Sequence, residues 1–229
     1  LERRKSRSGK MSILAQRYAS PEMRNIWSPE RKIEAERRLW VEVLRHQAPI
    51  LKIPESVISD YERVLKQIDL ASIEARELKT RHDVKARIDE FNNLAGHESI
   101  HLGMTSRDLT ENVEAWQVRQ ALELIRERTA ALLYSLGEKA KQYSKVAIVG
   151  RSHNVPAQVT TLGKKFATIA EELLFAFEHL NELLIRLPLR GFKGPVGTSQ
   201  DMKDLIGEVE SLEISVAQSL GFSRTANSA

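Results

Sequence analysis

Three short polar stretches interrupt a mostly helical pattern and carry residues capable of acid–base and anion-binding chemistry. The first, "TRHDVKA" at 80–86, places Arg81, His82 and Asp83 side by side, so a fixed cation, a titratable imidazole and a carboxylate are adjacent. Such a trio can hold an anion such as phosphate while the carboxylate orients the ring. The same residues also suit a solvated helix start with Asp83 near the N-terminus, and the pattern leaves both interpretations open.

The second stretch, "GHESIHLGMTSRDLTEN" at 96–112, brings hydroxyl groups to the start of a long apolar repeat. Thr105 and Ser106 would lie at a helix N-terminus, where hydroxyls and free backbone N–H groups suit a carboxylate or a phosphate. A capping box that serves only the helix is the alternative.

Two histidines of this stretch have a spacing that metal sites also use. His97 and His101 are four residues apart, but no carboxylate or third histidine lies at a supporting distance in the sequence. We therefore predict no metal site, and we expect no cofactor.

The third stretch, "VGRSHNVPAQVTTLGKK" at 149–165, holds His153 in a turn-like segment with a Gly and a Pro, and Thr160 and Thr161 then open another apolar repeat. A single loop histidine is usually a surface residue. The three clusters, however, each lie at the end of a long helical pattern. In antiparallel bundles, helix ends from different chains can meet, so the clusters could form one site.

Apolar spacing predicts the helices that position these clusters. Ser28 and Pro29 begin one helix as N-cap and first helical residue. The later patterns are a shorter helix at 54–68, one helix or two over 72–95, long helices over 109–136 and 162–187, and a third long stretch over 202–220.

The expected fold class is all-α, since only "KVAIVG" is strand-like. We predict a basic appendage at 1–10, a mixed helical N-terminal domain at 11–107 and part of a long-helix bundle at 108–229. The apolar faces of three such helices predict homo-oligomerisation.

Charge and composition exclude several classes of protein. The chain has 229 residues and a net charge of +4, which "LERRKSRSGK" at 1–10 supplies entirely, so we expect no nucleic-acid partner. Whether this appendage is native stays open. No apolar run reaches about 18 residues, so no membrane span is expected. The chain has no Cys, which excludes a thiolate metal site and favours a cytoplasmic protein.

Five stretches in this order resemble the N-terminal half of the adenylosuccinate lyase family, within the fumarase/aspartase superfamily. The resemblance runs from about residue 16 to the end of the chain, and the stretches are "RYASPEMRNIWSPE", "TRHDVKARIDEFN", "GMTSRDLTENVE", "GRSHNVPAQVTTLGKKFA" and "LRGFKGPVGTSQDM". "GRSH" is typical of the whole superfamily, whereas "RY", "TRHDV" and "TSRDL" point to the purine enzyme.

The resemblance implies elimination of fumarate from adenylosuccinate, giving AMP, and from the succinylated carboxamide ribotide of purine biosynthesis. A base removes a proton beside a carboxylate and an acid protonates the departing nitrogen. By this resemblance His153 is the general acid. His82 supports the substrate or phosphate side, with Arg81 and Asp83 beside it.

The resemblance also implies the binding residues and the assembly. Arg17 and Tyr18 would bind the nucleotide substrate, and Thr105 and Ser106 the succinyl carboxylate. "GPVGT" at 194–198 would be a close backbone approach at a helix end. Active sites of this family combine residues from three subunits of a homotetramer.

One departure from the family pattern is large. The family's signature loop, which resembles Gly-Ser-Ser-x-Met-Pro-x-Lys-x-Asn-Pro and supplies the serine base, is absent, and the chain ends at "SRTANSA". We therefore expect a truncated enzyme that is inactive by itself. The alternatives are another lyase of the superfamily, such as one acting on argininosuccinate, and a non-catalytic helical oligomerisation module.

Overall fold

The computed structural model describes residues 12–227, which form helices and one β-hairpin. The helices are α1 Ile13–Tyr18, α2 Pro21–Ile26, α3 Pro29–Leu51, α4 Glu55–Val64, α5 Leu70–Thr80, α6 Asp83–Ala95, α7 Ser106–Gln142, α8 Leu162–Arg186, α9 Gln200–Ile206 and α10 Glu210–Ser219. The strands are β1 Ala147–Ser152 and β2 Val155–Thr161. The predicted all-α class is confirmed. The predicted appendage at 1–10 lies outside the described residues.

Helix starts follow the capping chemistry of the sequence. Ser28 is the N-cap of α3, its hydroxyl accepts from the Arg31 N–H, and Pro29 is the first helical residue, as predicted. Over 72–95 the chain forms two helices, α5 and α6. Arg81 separates them with a φ of 53°, in the left-handed region where a continuous helix cannot pass.

The chain divides into two compact units. The first comprises the residues up to Val118 together with those from Leu187 onward, and the second runs from Arg119 to Arg186. The predicted domain boundary at 107/108 lies at the start of α7, whereas the compact units divide within α7 and after α8.

The core of the first unit forms around α3, whose buried side chains include Leu39, Trp40 and Leu44. Phe91 of α6 stacks on Trp40, with ring centroids 6.2 Å apart, and Leu109 of α7 belongs to the same cluster. This packing brings the start of α6 and the start of α7 onto one scaffold.

The third long helix predicted over 202–220 is wrong. Gly207 ends α9 with a φ of 82°, which a glycine adopts without the Cβ penalty, and α10 begins only at Glu210. Met202 and Leu212 are buried in the core of the first unit. The 3–4 spacing therefore reports burial on two short helices, not a bundle seam.

The second unit contains most of α7, the hairpin and α8. The helices predicted over 109–136 and 162–187 are confirmed, and Thr161 caps α8 by accepting from the Lys164 N–H at 3.1 Å. The turn expected between them is instead a β-hairpin with Val149 opposite Val159. Both strands are mostly exposed: β1 alternates only between exposed and half-buried positions, and β2 is exposed up to its last two residues.

Candidate functional site

His82 lies at the junction between α5 and α6, where it is the N-cap of α6. Its Nδ1 accepts a hydrogen bond from the Lys85 N–H at 3.2 Å, so the proton of the neutral ring is on Nε2. Thr80 Oγ1 donates to the His82 carbonyl at 3.0 Å, which fixes the backbone of His82 itself. The imidazole is therefore held in one tautomer with Nε2–H directed outward.

The ring joins the first two polar clusters of the sequence. His82 Nε2 lies 3.5 Å from the Ser106 hydroxyl, which belongs to the first turn of α7. Two helix N-termini therefore meet at this contact, each bringing backbone N–H groups and the positive end of a helix dipole. Such a place is suited to an anionic group such as a carboxylate or a phosphate.

Arg81 and Asp83 flank His82 in different ways. The Arg81 side chain is exposed. Asp83 Oδ1 lies 3.7 Å from His82 Nδ1, and its Oδ2 accepts from Arg87 at 2.9 Å. Burial would raise the pKa of Asp83, but the Arg87 charge outweighs it and holds that pKa below the ordinary value. Asp83 thus adds a negative charge beside the ring.

Thr105 and Ser106 are placed by Asp108, which lies in the first turn of α7. Asp108 Oδ2 accepts from the Thr105 N–H at 2.9 Å, which is the return bond of a capping box. Its Oδ1 accepts from Arg190 and from the backbone N–H groups of Lys193 and Gly194, at 3.0 and 3.1 Å for the two N–H groups. Asp108 is fully buried, so it ties the start of α7 to the segment that precedes α9.

That segment includes "GPVGT" at 194–198, which was predicted as a close backbone approach at a helix end. Gly194 does approach the start of α7 through its bond to Asp108. Lys193 Nζ donates to Glu213 Oε2 at 2.8 Å, and the Phe192 N–H donates to Glu213 Oε1 at 2.7 Å. The segment is therefore held by buried carboxylates on both sides.

His101 is part of this environment, although the sequence singled it out only as a metal-spaced residue. Its Nδ1 accepts from Trp40 Nε1 at 3.0 Å, so the ring proton is on Nε2. Burial, aided by the nearby charges of His82 and Lys85, lowers the pKa of His101 to about 4. His101 is therefore a neutral imidazole at physiological pH.

Arg17 and Tyr18 lie at the end of α1 with exposed side chains, and Tyr18 retains 78% of its accessible surface. Within residues 12–227, no hydrogen bond or ion pair joins either residue to His82 or Ser106. Their predicted role in nucleotide binding stays a prediction.

His153 lies in the second unit, at the tip of the hairpin. With φ values of 48° and 64°, His153 and Asn154 are the two central residues of the tight turn between β1 and β2. The Arg151 side chain donates to the Asn154 carbonyl at 3.0 Å and braces the turn. The His153 imidazole is exposed and available to a partner. Its predicted role as general acid stays a prediction.

His97 and His101 do not face a common ligand. His97 Nε2 pairs with Asp60 Oδ2 at 2.8 Å, whereas His101 bonds to Trp40. Among the residues that the structure describes, no group of three or more His, Asp or Glu side chains could hold a metal ion, and no helix is long and apolar enough to cross a membrane.

Comparison with known proteins identifies the family of this chain. A family model described as "Lyase" matches residues 20–229. The adenylosuccinate lyase of Saccharomyces cerevisiae is 29% identical over 92% of this chain and 46% of its own length, and that of Pyrococcus abyssi is 30% identical over 86% and 44%. The chain thus spans about half the length of these curated relatives.

Solved structures share the fold at lower identity. A 3-carboxy-cis,cis-muconate lactonizing enzyme from Pseudomonas putida has a TM-score of 0.79 and 21% identity, covering 94% of this chain and 50% of its own. A fumarate lyase from Mesorhizobium sp. BNC1 has a TM-score of 0.76 and 21% identity, covering 89% of this chain and 48% of its own. The predicted resemblance to adenylosuccinate lyases is confirmed, and this chain belongs to the lyase family whose model it matches.

Proposed function

We propose that this chain provides the N-terminal half of a lyase that cleaves adenylosuccinate to AMP and fumarate, and the succinylcarboxamide ribotide to the carboxamide ribotide and fumarate. The observation that carries the proposal is the contact of His82 Nε2 with the Ser106 hydroxyl at 3.5 Å. It joins "TRHD" and "TSRD", the stretches that distinguish the purine enzyme from its superfamily. The similarity to adenylosuccinate lyases over most of the chain supports the same substrate.

The reaction is a β-elimination, in which negative charge builds up on a substrate carboxylate. Thr105 and Ser106 bind that carboxylate, because the start of α7 offers hydroxyls, backbone N–H groups and a positive dipole. His82 supports it through Nε2–H. Arg17 and Tyr18 bind the nucleotide.

His153 is the general acid that protonates the departing nitrogen. An imidazole with an ordinary pKa of about 6.5 can change charge near neutral pH, and the hairpin tip presents His153 to a partner surface. A neighbouring subunit of a homotetramer would receive it, as the family resemblance implies. The base, a serine of the family's signature loop, has no counterpart in this sequence. The 229-residue chain is therefore inactive by itself.

Exposed apolar side chains in the second unit support oligomer formation. Ile125 and Leu132 of α7 and Ile169 and Phe175 of α8 retain 44%, 50%, 53% and 59% of their accessible surface. Large apolar side chains exposed on two helices of one unit favour an interface. The same exposed side chains would serve a non-catalytic oligomerisation module, which is the second candidate function.

The test is fumarate release from adenylosuccinate, measured with the full-length protein that carries this sequence. Wild type should turn over, and His153→Ala should lose at least about 100-fold in kcat, the usual contribution of a general acid. Asn154→Gly, in the same turn, is the matched control, because glycine keeps the left-handed backbone, and it should retain most of the activity. An oligomer without turnover would favour the module instead, whereas a His153→Ala variant with wild-type kcat would refute His153 as the general acid.

A further inference from the structure

A carboxylate is buried in α3 without a hydrogen bond. Glu36 has no accessible surface, and neither of its carboxylate oxygens accepts a hydrogen bond from the described part of the chain. Its close partner is Arg87 of α6, whose Nε lies 2.7 Å from Glu36 Oε2. Burying a charged group in this way costs stability. The ion pair therefore calls for an explanation other than the stability of the fold.

The other end of Arg87 leads to the surface at the start of α6. Its Nη2 lies 2.9 Å from Asp83 Oδ2, so one guanidinium joins a fully buried carboxylate to one that is half exposed. The Arg87 side chain is only 10% exposed. Glu36 holds Nε on the buried side of the guanidinium, and Nη2 is directed at Asp83.

Asp83 is the first residue of α6 and follows the N-cap His82 directly. Its other oxygen lies 3.7 Å from His82 Nδ1, the atom that also accepts from the Lys85 N–H. A displaced Asp83 would change both the position of the first turn and the negative charge beside the ring.

We propose that Glu36 is a positioning residue for the contact between His82 and Ser106, acting through Arg87 and Asp83. Glu36 anchors the guanidinium, the guanidinium fixes the first turn of α6, and that turn sets the direction of His82 Nε2. This inference rests on the proposed lyase function for its catalytic consequence, although the structural chain of contacts stands without it. The charged groups that act on Glu36 are Arg87 and Asp83 of α6 and Lys32 and Arg37 of its own helix.

The chain offers a matched control two residues away. Glu34 lies on the same helix and forms ion pairs with Arg31 and Arg38, both also on α3. Glu34→Gln removes the same charge as Glu36→Gln and leaves the contacts of α6 untouched.

The first measurement is steady-state fumarate release by the full-length protein at pH 8. We expect Glu36→Gln to lower kcat/KM about tenfold, whereas Glu34→Gln stays within twofold of wild type. Thermal unfolding of each variant accompanies the kinetics, and the loss of activity in Glu36→Gln should occur without a lower Tm. An unchanged kcat/KM in Glu36→Gln, or an equal loss in Glu34→Gln, would overturn the proposal.

The second measurement needs no substrate. The ring signals of His82 are recorded by NMR in the full-length protein at pH 8 and assigned by their absence in His82→Asn. They should shift in Glu36→Gln, because the first turn of α6 moves, and should stay in place in Glu34→Gln. Unmoved His82 signals would overturn the inference. A wild-type protein with no fumarate release would instead overturn the proposed function, and the His82 signals would still decide this one.

A third variant covers the case in which Glu36→Gln does not fold. Arg87→Lys keeps the charge but replaces the fork with a single ammonium group, which cannot hold Glu36 and Asp83 in the same geometry. It should lower kcat/KM and shift the His82 ring signals. If both stayed at wild-type values, the positioning role would be refuted.

Discussion

Replacing Glu36 by Gln should stabilise the protein at alkaline pH and not at acid pH. Burial raises the pKa of Glu36 from 4.5 to about 7, although the nearby Arg87 charge opposes the effect. Between these two values the folded protein keeps a proton that the unfolded chain has released, so wild-type stability falls as the pH rises through this window. At about 1.4 kcal/mol for each pKa unit, the ionised carboxylate costs about 3 kcal/mol at pH 8. Gln has the same shape and does not titrate, so the variant avoids this cost.

Thermal unfolding of wild type, Glu36→Gln and Glu34→Gln at pH 4.5, 6 and 8 measures the difference. The advantage of Glu36→Gln should be near zero at pH 4.5 and largest at pH 8. Glu34 supplies a control of opposite sign. Burial acts to raise its pKa, but hydrogen bonds from Arg31 and Arg38 outweigh burial and lower it, so Glu34→Gln should lose stability above pH 4.5. A Glu36→Gln protein that is less stable at pH 8, or whose advantage does not depend on pH, would refute the reasoning.

Four further substitutions test the packing and the buried polar groups, each by the change in unfolding free energy. Gly163→Ala should cost about 1–3 kcal/mol, because its Cβ would lie 2.7 Å from Ser144 Cα, whereas Gly137→Ala in open space on α7 should gain about 1 kcal/mol. Asp108→Asn should cost about 3 kcal/mol because, unlike the Glu36 carboxylate, the Asp108 carboxylate accepts from buried backbone N–H groups that an amide N–H₂ would oppose. Wild type should lose stability as the pH falls from 6.5 to 4, because His101 binds a proton in the unfolded chain and not in the folded protein. His101→Gln should flatten this loss. An equally steep acid limb in His101→Gln would contradict the assignment of a buried neutral ring.

Periodicity in the sequence predicted the long helices because α7 and α8 keep regular apolar faces over many turns. It failed over 202–220, where the same 3–4 spacing continues across Gly207 although the chain bends there. Apolar spacing reports which residues are buried, and a break in the backbone does not interrupt it. The single glycine was the available signal.

Of the hairpin, only the first strand was indicated, by the strand-like "KVAIVG", and the second strand was missed for a different reason. Strand prediction depends on one buried and one exposed face, and here Val149, Val155 and Val159 are all exposed. What specifies the turn is the pair His153 and Asn154, since histidine and asparagine enter the left-handed region more readily than other side chains. The histidine proposed as the acid thus also has a conformational role.

The sequence predicted the surface residues of the candidate site but not the buried carboxylates that hold them in place. His82 and Ser106 stand out because polar clusters at helix starts are visible in a sequence, yet their contact spans 24 residues of chain and depends on the packing of α6 against α7. Glu36 and Asp108 look like ordinary helical acids, because sequence alone does not separate a buried carboxylate from an exposed one.

The two helix starts that meet at the site are supported in the same way. Behind α6, buried Glu36 pairs with Arg87, and behind α7, buried Asp108 pairs with Arg190. Each pair is costly to bury, and its energetic benefit to the fold is small or negative compared with an apolar pair of similar volume. Their common effect is to fix the direction of groups at the surface: Asp83 and the His82 ring in one case, the Thr105 N–H in the other. Substitutions under the site should therefore separate activity from stability, and Glu36→Gln, with a higher Tm and a lower kcat/KM at pH 8, is the variant in which the two should move in opposite directions.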